Sequence, residues 1–522
     1  MSEYKSTGTA IQQSQETDTT PHKQKLKTLI YGQRLAISAF ALKLAIAQST
    51  TLPPAIHSTG WNSSFELSAE QLKLGNLTAD YGATINTIIN FDRSQLANGG
   101  THQDEFYDVR NLPKDQWPTE PGRTIKLQKF TDPSSFSIPP KTAMSRIIYS
   151  TTNLNGTLIP ASAYILWPHH PKNFRDGRNA SASSAPVVLW THGTSGFYAD
   201  GAPSTHRGLF YEDFVPFTLA EAGYAVVAPD YAGLGVSTSW DETFIPHQYF
   251  ASEAGAGDAL NALRAAQESF PKNLSNDYVV LGHSQGGSVA WTLSEILART
   301  NHTFDDVAKY HLGTVAMAPP TDIFSLSAGI GPFLAWIGKD LNQIFPAFNL
   351  SDWLTPLGIK RTKISNQVEG SQIVSSYLLT PEEEIVQPGW KETWSIQAFG
   401  KLANPGNRNF KGPMLVLQGM DDPVVTYNMT KNTIDKTCKN HPNDLEFLNI
   451  PKANHFGVIN AGKQNWLRWI EDRFTGQPLV RSGCVKSNVE SLMPQEYYQL
   501  TANSFVLWAG KPQWSYELPT AA

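Results

Sequence analysis

The chain has 522 residues and a net charge of −5, and 40% of its residues are hydrophobic. This content can build a large core, which excludes a generally disordered protein. The acidic balance argues against a nucleic-acid-binding surface, because such a surface needs a clustered basic stripe. Two cysteines are too few for a disulfide scaffold or a four-cysteine zinc site.

Residues 1–50 are predicted to form a disordered lead with a possible signal segment. Basic residues precede an apolar stretch at 36–47, and Ala45-Ile46-Ala47 has the small-x-small form of a signal-peptidase site. An ordinary amphipathic helix is the alternative, because Lys43 interrupts the stretch. The stretch is shorter than the roughly 18–20 apolar residues that span a bilayer, so no transmembrane span is expected.

Asn-x-Ser/Thr triplets occur along the whole chain and favour a secreted glycoprotein. Each triplet alone arises easily by chance. Together with a charged-residue content of only 17%, they favour an extracellular location. The triplets begin at Asn62, Asn76, Asn155, Asn179, Asn273, Asn301, Asn349 and Asn428.

From about residue 142 onward, short apolar strands alternate with helical patterns. The stretch before it is rich in Asn, Gly, Pro and Thr and is predicted to be an irregular N-terminal extension. The alternation predicts an α/β fold with a mostly parallel sheet and helices on both faces. Strands are predicted at 146–152, 157–167, 186–190, 224–235, 278–281, 313–320, 413–419 and 445–450. Helices are predicted around 210–222, 253–269, 288–300 and 463–474.

The segment 321–410 breaks this alternation, because it is apolar and punctuated by proline. It is predicted to be an inserted helical cap. The cap divides the core into 51–320, which includes the N-terminal extension, and 411–477. Residues 478–522 then form a C-terminal extension.

The nucleophile candidate is Ser284, in Gly282-His283-Ser284-Gln285-Gly286. This sequence fits G-x-S-x-G, with an apolar strand before it and a helix after it, which is the setting of a nucleophile elbow. The turn strains the backbone of the serine, so its close neighbours must lack side chains. A glycine-rich turn with an incidental serine is the alternative reading.

A serine nucleophile needs a base that a third group orients, and in this architecture the acid and then the histidine follow the serine in the chain. Asp422 lies three residues after Gly419 and three before Val425, which fits a G-x-x-D-x-x-V loop at a strand end. Asp421 is the competing carboxylate. Simple turn chemistry would also suit Asp-Asp-Pro.

The base candidate is His455, which follows the predicted strand 445–450 and precedes the last helix. His441 is the alternative, but it lies before that strand. The chain order and the strand-end position favour His455 as the base. A purely structural role is the alternative, because an isolated histidine in a loop is usually structural.

Acyl transfer also needs donors that are aimed at the developing oxyanion. The backbone N–H of Gln285, directly after the nucleophile, is the first candidate. The second is the N–H of Thr194 in the His192-Gly193-Thr194 turn after strand 186–190, with Gly193 as the alternative. A plain strand-end turn would explain the same residues.

Apolar residues in the cap recur at helical spacing, which predicts an amphipathic helix that ends near Phe345, before Pro346. An insertion directly before the acid strand emerges beside the active site, where ligands of open α/β sheets bind. We therefore expect Trp336 and Phe345 to bind a hydrophobic acyl group. Packing of this face on the main domain is the alternative.

The two cysteines, Cys438 and Cys484, are predicted to form a disulfide, because no others are present and the context is secretory. Two unrelated buried thiols are the alternative.

Further motifs point to a known family. They are Asp104-Glu105-Phe106-Tyr107 with Pro121-Gly122, the turn Asp230-Tyr231-Ala232-Gly233-Leu234-Gly235, and His247-Gln248-Tyr249 followed by Asp258-Ala259. On these motifs the chain resembles the microbial secretory lipases of lipase A type, in the α/β-hydrolase superfamily, over residues 104–475. The lead before Ala36 is long for a secretory member, and 478–522 matches no family motif.

The resemblance implies an α/β-hydrolase fold with a cap inserted before the acid strand. It also implies ester hydrolysis by Ser284, Asp422 and His455. The predicted function is therefore that of a serine ester hydrolase, of lipase or carboxylesterase type, which acts on small-molecule esters or lipids without cofactor or metal. An acyltransferase or a peptidase with the same triad is the alternative.

Overall fold

A ten-stranded sheet with the order β1-β2-β3-β5-β4-β6-β7-β8-β9-β10 is the framework of the molecule. The computed structural model describes residues 64–174, 184–326, 330–500 and 502–506. The lead, its possible signal segment, and the triplets at Asn62 and Asn179 lie outside the described residues. The strands are β1 (Thr124–Gln128), β2 (Ala143–Thr152), β3 (Leu158–Trp167), β4 (Ala185–Thr191), β5 (Ala225–Pro229), β6 (Leu274–His283), β7 (His311–Met317), β8 (Met414–Gly419), β9 (Leu445–Ile450) and β10 (Cys484–Asn488).

The strand directions confirm the predicted mostly parallel sheet. The pairs β1–β2, β2–β3 and β3–β5 are antiparallel. All the other neighbouring pairs of this sheet, in the order β5-β4-β6-β7-β8-β9-β10, are parallel. Every residue of β4, β5 and β8 is buried, as expected for strands that are covered on both faces.

Helices cover the two faces of the sheet, and the side chains of a strand alternate between them. Val187 and Leu189 of β4 belong to one core cluster, and Val188 and Trp190 belong to the other. The helices of the described residues outside the inserted segment are α1 (Ala69–Gly75), α2 (Ala79–Ser94), α3 (Pro216–Glu221), α4 (Ser252–Ser269), α5 (Gln285–Ile296), α6 (Asp305–Ala308), α12 (Tyr427–Asn440), α13 (Gly457–Ala461) and α14 (Lys463–Phe474).

The segment between β7 and β8 is helical in its described part, and its buried apolar side chains form one hydrophobic cluster with residues from outside the segment, among them Ile85, Phe197 and Tyr249. Its helices are α7 (Ile330–Asp340), α8 (Pro356–Val368), α9 (Gln372–Leu378), α10 (Glu382–Ile385) and α11 (Trp394–Ala403). No helix of the described residues is both long and apolar enough to cross a bilayer.

Helices α1 and α2 were not expected, because the N-terminal extension has weak periodicity. A capping box at Ser68 begins α1, and Ile85, Ile88 and Ile89 form the buried face of α2. Both helices pack on the inserted segment: the hydroxyl of Tyr81 donates to the carbonyl of Tyr377 at 2.8 Å.

The buried guanidinium of Arg361 joins the same two parts of the chain. It donates to the carbonyl of Gly75, which ends α1, and to the carbonyls of Leu378 and Thr380. A buried cation is stable only when its donors are satisfied, so this contact ties α1 firmly to α8.

The C-terminal extension adds a strand that sequence analysis did not find. Strand β10 pairs in parallel with β9, and a short hairpin of β11 (Tyr498–Gln499) and β12 (Ser504–Phe505) follows. Residues of β10 are alternately exposed and half-buried, and such a polar edge strand has no apolar run by which to recognise it.

The predicted disulfide is confirmed: Cys438 on α12 is bonded to Cys484 on β10, with a Cα–Cα distance of 5.8 Å. The bond closes a loop with a sequence separation of 46 that contains His455. It therefore fixes the edge strand to a core helix.

Replacing both cysteines by serine is expected to lower the free energy of unfolding by up to about 4 kcal/mol, because the loop gains chain entropy in the unfolded state. Equilibrium unfolding in urea, with the oxidised wild type as reference, measures this loss. An unchanged unfolding midpoint would show that the bond contributes nothing to stability.

Candidate active site

Ser284 lies at the turn between β6 and α5. Its backbone has φ 56° and ψ −126°, a conformation that a residue with a side chain rarely adopts. A Cβ atom on Gly282 would overlap the carbonyl of Gly286, and one on Gly286 would overlap the carbonyl of Thr191. The two glycines therefore permit the tight turn that raises the serine above the sheet.

A chain of hydrogen bonds joins Ser284, His455 and Asp422. Nε2 of His455 is 2.8 Å from the Ser284 Oγ, and Nδ1 is 2.8 Å from Oδ2 of Asp422. A carboxylate can only accept, so Nδ1–H donates to it and leaves Nε2 to accept the serine proton. This is the arrangement that general-base activation of a serine requires.

The Asp422 carboxylate is held by its own loop. Its Oδ1 atom accepts hydrogen bonds from the backbone N–H groups of Val424 and Val425, at 2.8 and 2.9 Å. The side chain of Asp421 turns elsewhere and accepts a hydrogen bond from the Tyr498 hydroxyl at 2.7 Å. The structure thus brings Asp422, and not Asp421, to the histidine.

His441, the alternative base, caps the C-terminal end of α12. Its backbone N–H donates to the carbonyl of Thr437, which is the last hydrogen bond of the helix. The ring that meets Ser284 is that of His455.

His283, inside the G-x-S-x-G motif, supports the loop that carries His455. Its buried ring lies 2.8 Å from the His455 carbonyl through Nε2 and 2.8 Å from the Tyr211 hydroxyl through Nδ1. Burial, with the neighbouring His455, holds the pKa of His283 well below its usual range. The neutral ring donates to the carbonyl and accepts from Tyr211. The motif treats this position as variable, so sequence analysis missed the contact.

The two candidate oxyanion donors lie on either side of the nucleophile. Gln285 is the first residue of α5, and the loop of Thr194 follows β4. A Cβ on Gly193 would lie 3.2 Å from the Cβ of Ser284, so this loop passes directly beside the serine. Within the described part of the chain, neither the Gln285 N–H nor the Thr194 N–H has an acceptor. His192 is buried there, and burial lowers its pKa to about 4.

The two cap residues singled out from the sequence lie in different surroundings. The ring of Trp336 is 2% exposed and stacks on Phe197, at 3.6 Å between centroids, three residues after Thr194. The ring of Phe345 meets Trp394, which is itself half exposed. Trp336 therefore borders the loop 192–196 that carries the candidate donor Thr194, which we call the oxyanion loop, whereas the ring contact of Phe345 is within the inserted segment.

The C-terminal extension lies against the loops of the acid and the base. The hydroxyl of Ser504 is buried against Gly457, and Asn454 donates to the carbonyl of Ala502. With the Tyr498–Asp421 bond, these contacts brace both loops. The sequence carried no signal for them, because each joins residues far apart in the chain.

One group of metal-type ligands occurs among the described residues: His102, Asp200 and Glu369. Nε2 of His102 lies 3.0 Å from a Glu369 carboxylate oxygen, and the bond with Glu369 raises the pKa of the histidine. His102 and Glu369 form an exposed ion pair between the chain after α2 and the end of α8, and the half-buried carboxylate of Asp200 accepts hydrogen bonds from Thr101.

Comparison with known proteins places the site in a wider context. The profile of the alpha/beta hydrolase family matches residues 187–458. A secreted triacylglycerol lipase of Malassezia globosa is 22% identical over 408 residues, which is 73% of this chain and 83% of that protein. Lipase 5 of Candida albicans is 25% identical over 52% of this chain, and the match spans 59% of that lipase.

Solved structures share the fold at low sequence identity. Lipase A of Candida antarctica superposes with a TM-score of 0.56 and 17% identity, over 76% of this chain and 90% of that chain. The cell-wall-degrading esterase LipA of Xanthomonas oryzae superposes with a TM-score of 0.52 and 17% identity, over 69% of this chain and 100% of that chain.

Proposed function

Because the chain belongs to the alpha/beta hydrolase family, we propose that it is a serine ester hydrolase of lipase or carboxylesterase type. The observation that carries the proposal is the chain of hydrogen bonds from Ser284 through His455 to Asp422. Relatives that are named as lipases support ester hydrolysis as the reaction.

In the proposed mechanism, Ser284 attacks the ester carbonyl carbon while Nε2 of His455 takes the serine proton. Asp422 keeps the imidazole in the required tautomer and stabilises the imidazolium that forms. The backbone N–H groups of Gln285 and Thr194 bind the oxyanion. The imidazolium then protonates the departing alcohol, and water, activated by His455, hydrolyses the acyl-enzyme. None of these steps uses a cofactor or a metal.

An alkyl fluorophosphonate tests the nucleophile directly, because it bonds covalently to an activated serine. We expect mapping of the labelled peptide to find the adduct on Ser284. Hydrolysis of p-nitrophenyl esters with and without an added alcohol then separates a hydrolase, which forms the free acid, from an acyltransferase, which forms a new ester. Labelling of another residue would refute the proposed nucleophile.

The extracellular location predicted from the sequence is part of the same proposal. A disulfide is favoured outside the reducing cytosol, and the Malassezia globosa relative is named as secreted. The asparagines of the six triplets that the structure describes are all exposed, so all are accessible to glycosylation.

The cap is proposed to bind the acyl group of the substrate. Replacing Trp336 by alanine is expected to raise KM several-fold more for p-nitrophenyl palmitate than for p-nitrophenyl acetate, because only the long chain reaches the apolar wall beside the oxyanion loop. Phe345→Ala tests the second position in the same way.

Phe130→Ala is a suitable control, since this aromatic ring is exposed and lies outside the cap. It should leave both KM values unchanged. An equal rise in KM on both esters in Trp336→Ala would contradict acyl binding by the cap.

A further inference from the structure

The side chains of the two residues that supply the proposed oxyanion donors are bonded to each other. The hydroxyl of Thr194 donates to Oε1 of Gln285 at 3.2 Å, and it lies 2.8 Å from the hydroxyl of Tyr249. A threonine hydroxyl carries one proton. Since that proton points to Gln285, the Tyr249 hydroxyl is the donor to Thr194. The bonds therefore run in one direction, from Tyr249 through Thr194 to Gln285.

All three side chains are removed from water: Tyr249 is 2% exposed, Gln285 is 3% exposed and Thr194 is 8% exposed. In such surroundings hydrogen bonds are stronger, and an unmade bond cannot be replaced by solvent. Gln285 begins α5 and Thr194 follows β4. The bonds thus connect the two separate elements whose N–H groups must face one oxyanion.

The ring of Tyr249 is held by other aromatic rings. Phe197 meets it edge-on at 4.9 Å, and Trp336 of the cap meets it edge-on at 5.8 Å. Phe197 and Trp336 stack on each other. The direction of the Tyr249 hydroxyl is therefore fixed by packing that includes helix α7.

We propose that Tyr249 is a positioning residue for the oxyanion hole, acting through Thr194 and Gln285. Donors to an oxyanion accelerate the reaction only if they are already in place when the charge develops. By fixing the side chains of both donor residues, Tyr249 holds the two N–H groups at one separation. This inference rests on the proposed ester hydrolase function and assigns a role to a residue that lies outside the triad.

The test compares wild type with Tyr249→Phe, which removes a single oxygen atom. On p-nitrophenyl butyrate we expect kcat to fall about tenfold, less than the roughly 10²–10³ lost when an oxyanion donor itself is removed, with KM within about twofold. Affinity for butylboronic acid should fall by the same factor. This probe forms a tetrahedral boronate anion on the Ser284 Oγ, with the serine proton passing to His455.

Gln285→Met provides a second variant, because it keeps the backbone N–H and removes the side-chain acceptor. It should show the same losses even if Tyr249→Phe does not fold. The double variant should lose little more than the worse single variant, since residues that act as one unit are not additive.

Tyr198→Phe is the matched control. Its hydroxyl contacts Ser365 and Asn366 of α8 and makes no contact with Thr194 in the described structure. It should keep both kcat and boronate affinity. Three results would overturn this inference but not the proposed function. They are wild-type kcat and boronate affinity in Tyr249→Phe, a loss of kcat there without a loss of boronate affinity, and losses in Tyr198→Phe equal to those in Tyr249→Phe. A wild-type chain that hydrolyses no ester and takes no phosphonate label would overturn the proposed function and this inference with it.

Discussion

Replacement of Ser284 by alanine is expected to lower kcat by about 10⁴–10⁶, the scale of loss when the nucleophile of a triad is removed. The loss follows because no other hydroxyl bonds to Nε2 of His455 in the described structure. Initial rates on p-nitrophenyl butyrate measure it, together with the thermal unfolding midpoint, which should stay close to that of the wild type.

Ser294→Ala is a matched control for this variant. Ser294 is buried on α5, the helix that directly follows Ser284, and donates to the carbonyl of Trp291. Its loss should affect stability more than kcat. Near-full activity in Ser284→Ala would mean that the acyl group is transferred to a different residue, and the proposed mechanism would be wrong.

The neighbouring carboxylates should differ sharply when each is changed to asparagine. Asp422→Asn is expected to lower kcat by about 10⁴, because an amide no longer selects the tautomer that leaves Nε2 free to accept a proton. Asp421→Asn should cost less than about tenfold, because its carboxylate meets Tyr498 rather than His455.

Both variants keep the size of the side chain, so a difference in kcat between them reports chemistry rather than packing. Thermal unfolding of both proteins checks that the loop has not collapsed. A larger loss in Asp421→Asn than in Asp422→Asn would reverse the assignment of the acid.

The parts of the fold that could be predicted from the sequence are those with local signals. The strand–turn–helix around Ser284 could be recognised from neighbouring residues, because the strained turn requires glycine at positions 282 and 286. The central strands were recognisable because burial on both faces demands continuous apolar runs. Asp422 was distinguished from Asp421 by its spacing alone, and the structure places it against His455.

The parts that could not be predicted depend on contacts between distant residues. Strand β10 is polar and gains its place by pairing with β9. The ring of His283 meets the carbonyl of His455, 172 residues further along the chain. The hydroxyl of Tyr249 contacts that of Thr194, which lies 55 residues earlier in the chain, so the two meet only in the folded protein. No periodicity in the sequence encodes such pairings.

Because α1 and α2 pack on α8 and α9, the helical cluster that contains the insertion is built from two parts of the chain, 64–94 and 330–403. A chimera that exchanges only the insertion with that of a relative would leave Tyr81 and the end of α1 facing a foreign surface. Arg361 would be lost with the exchanged segment, and the carbonyl of Gly75 would lose its donor. A chimera designed to test the proposed acyl binding by the cap therefore has to exchange both segments together.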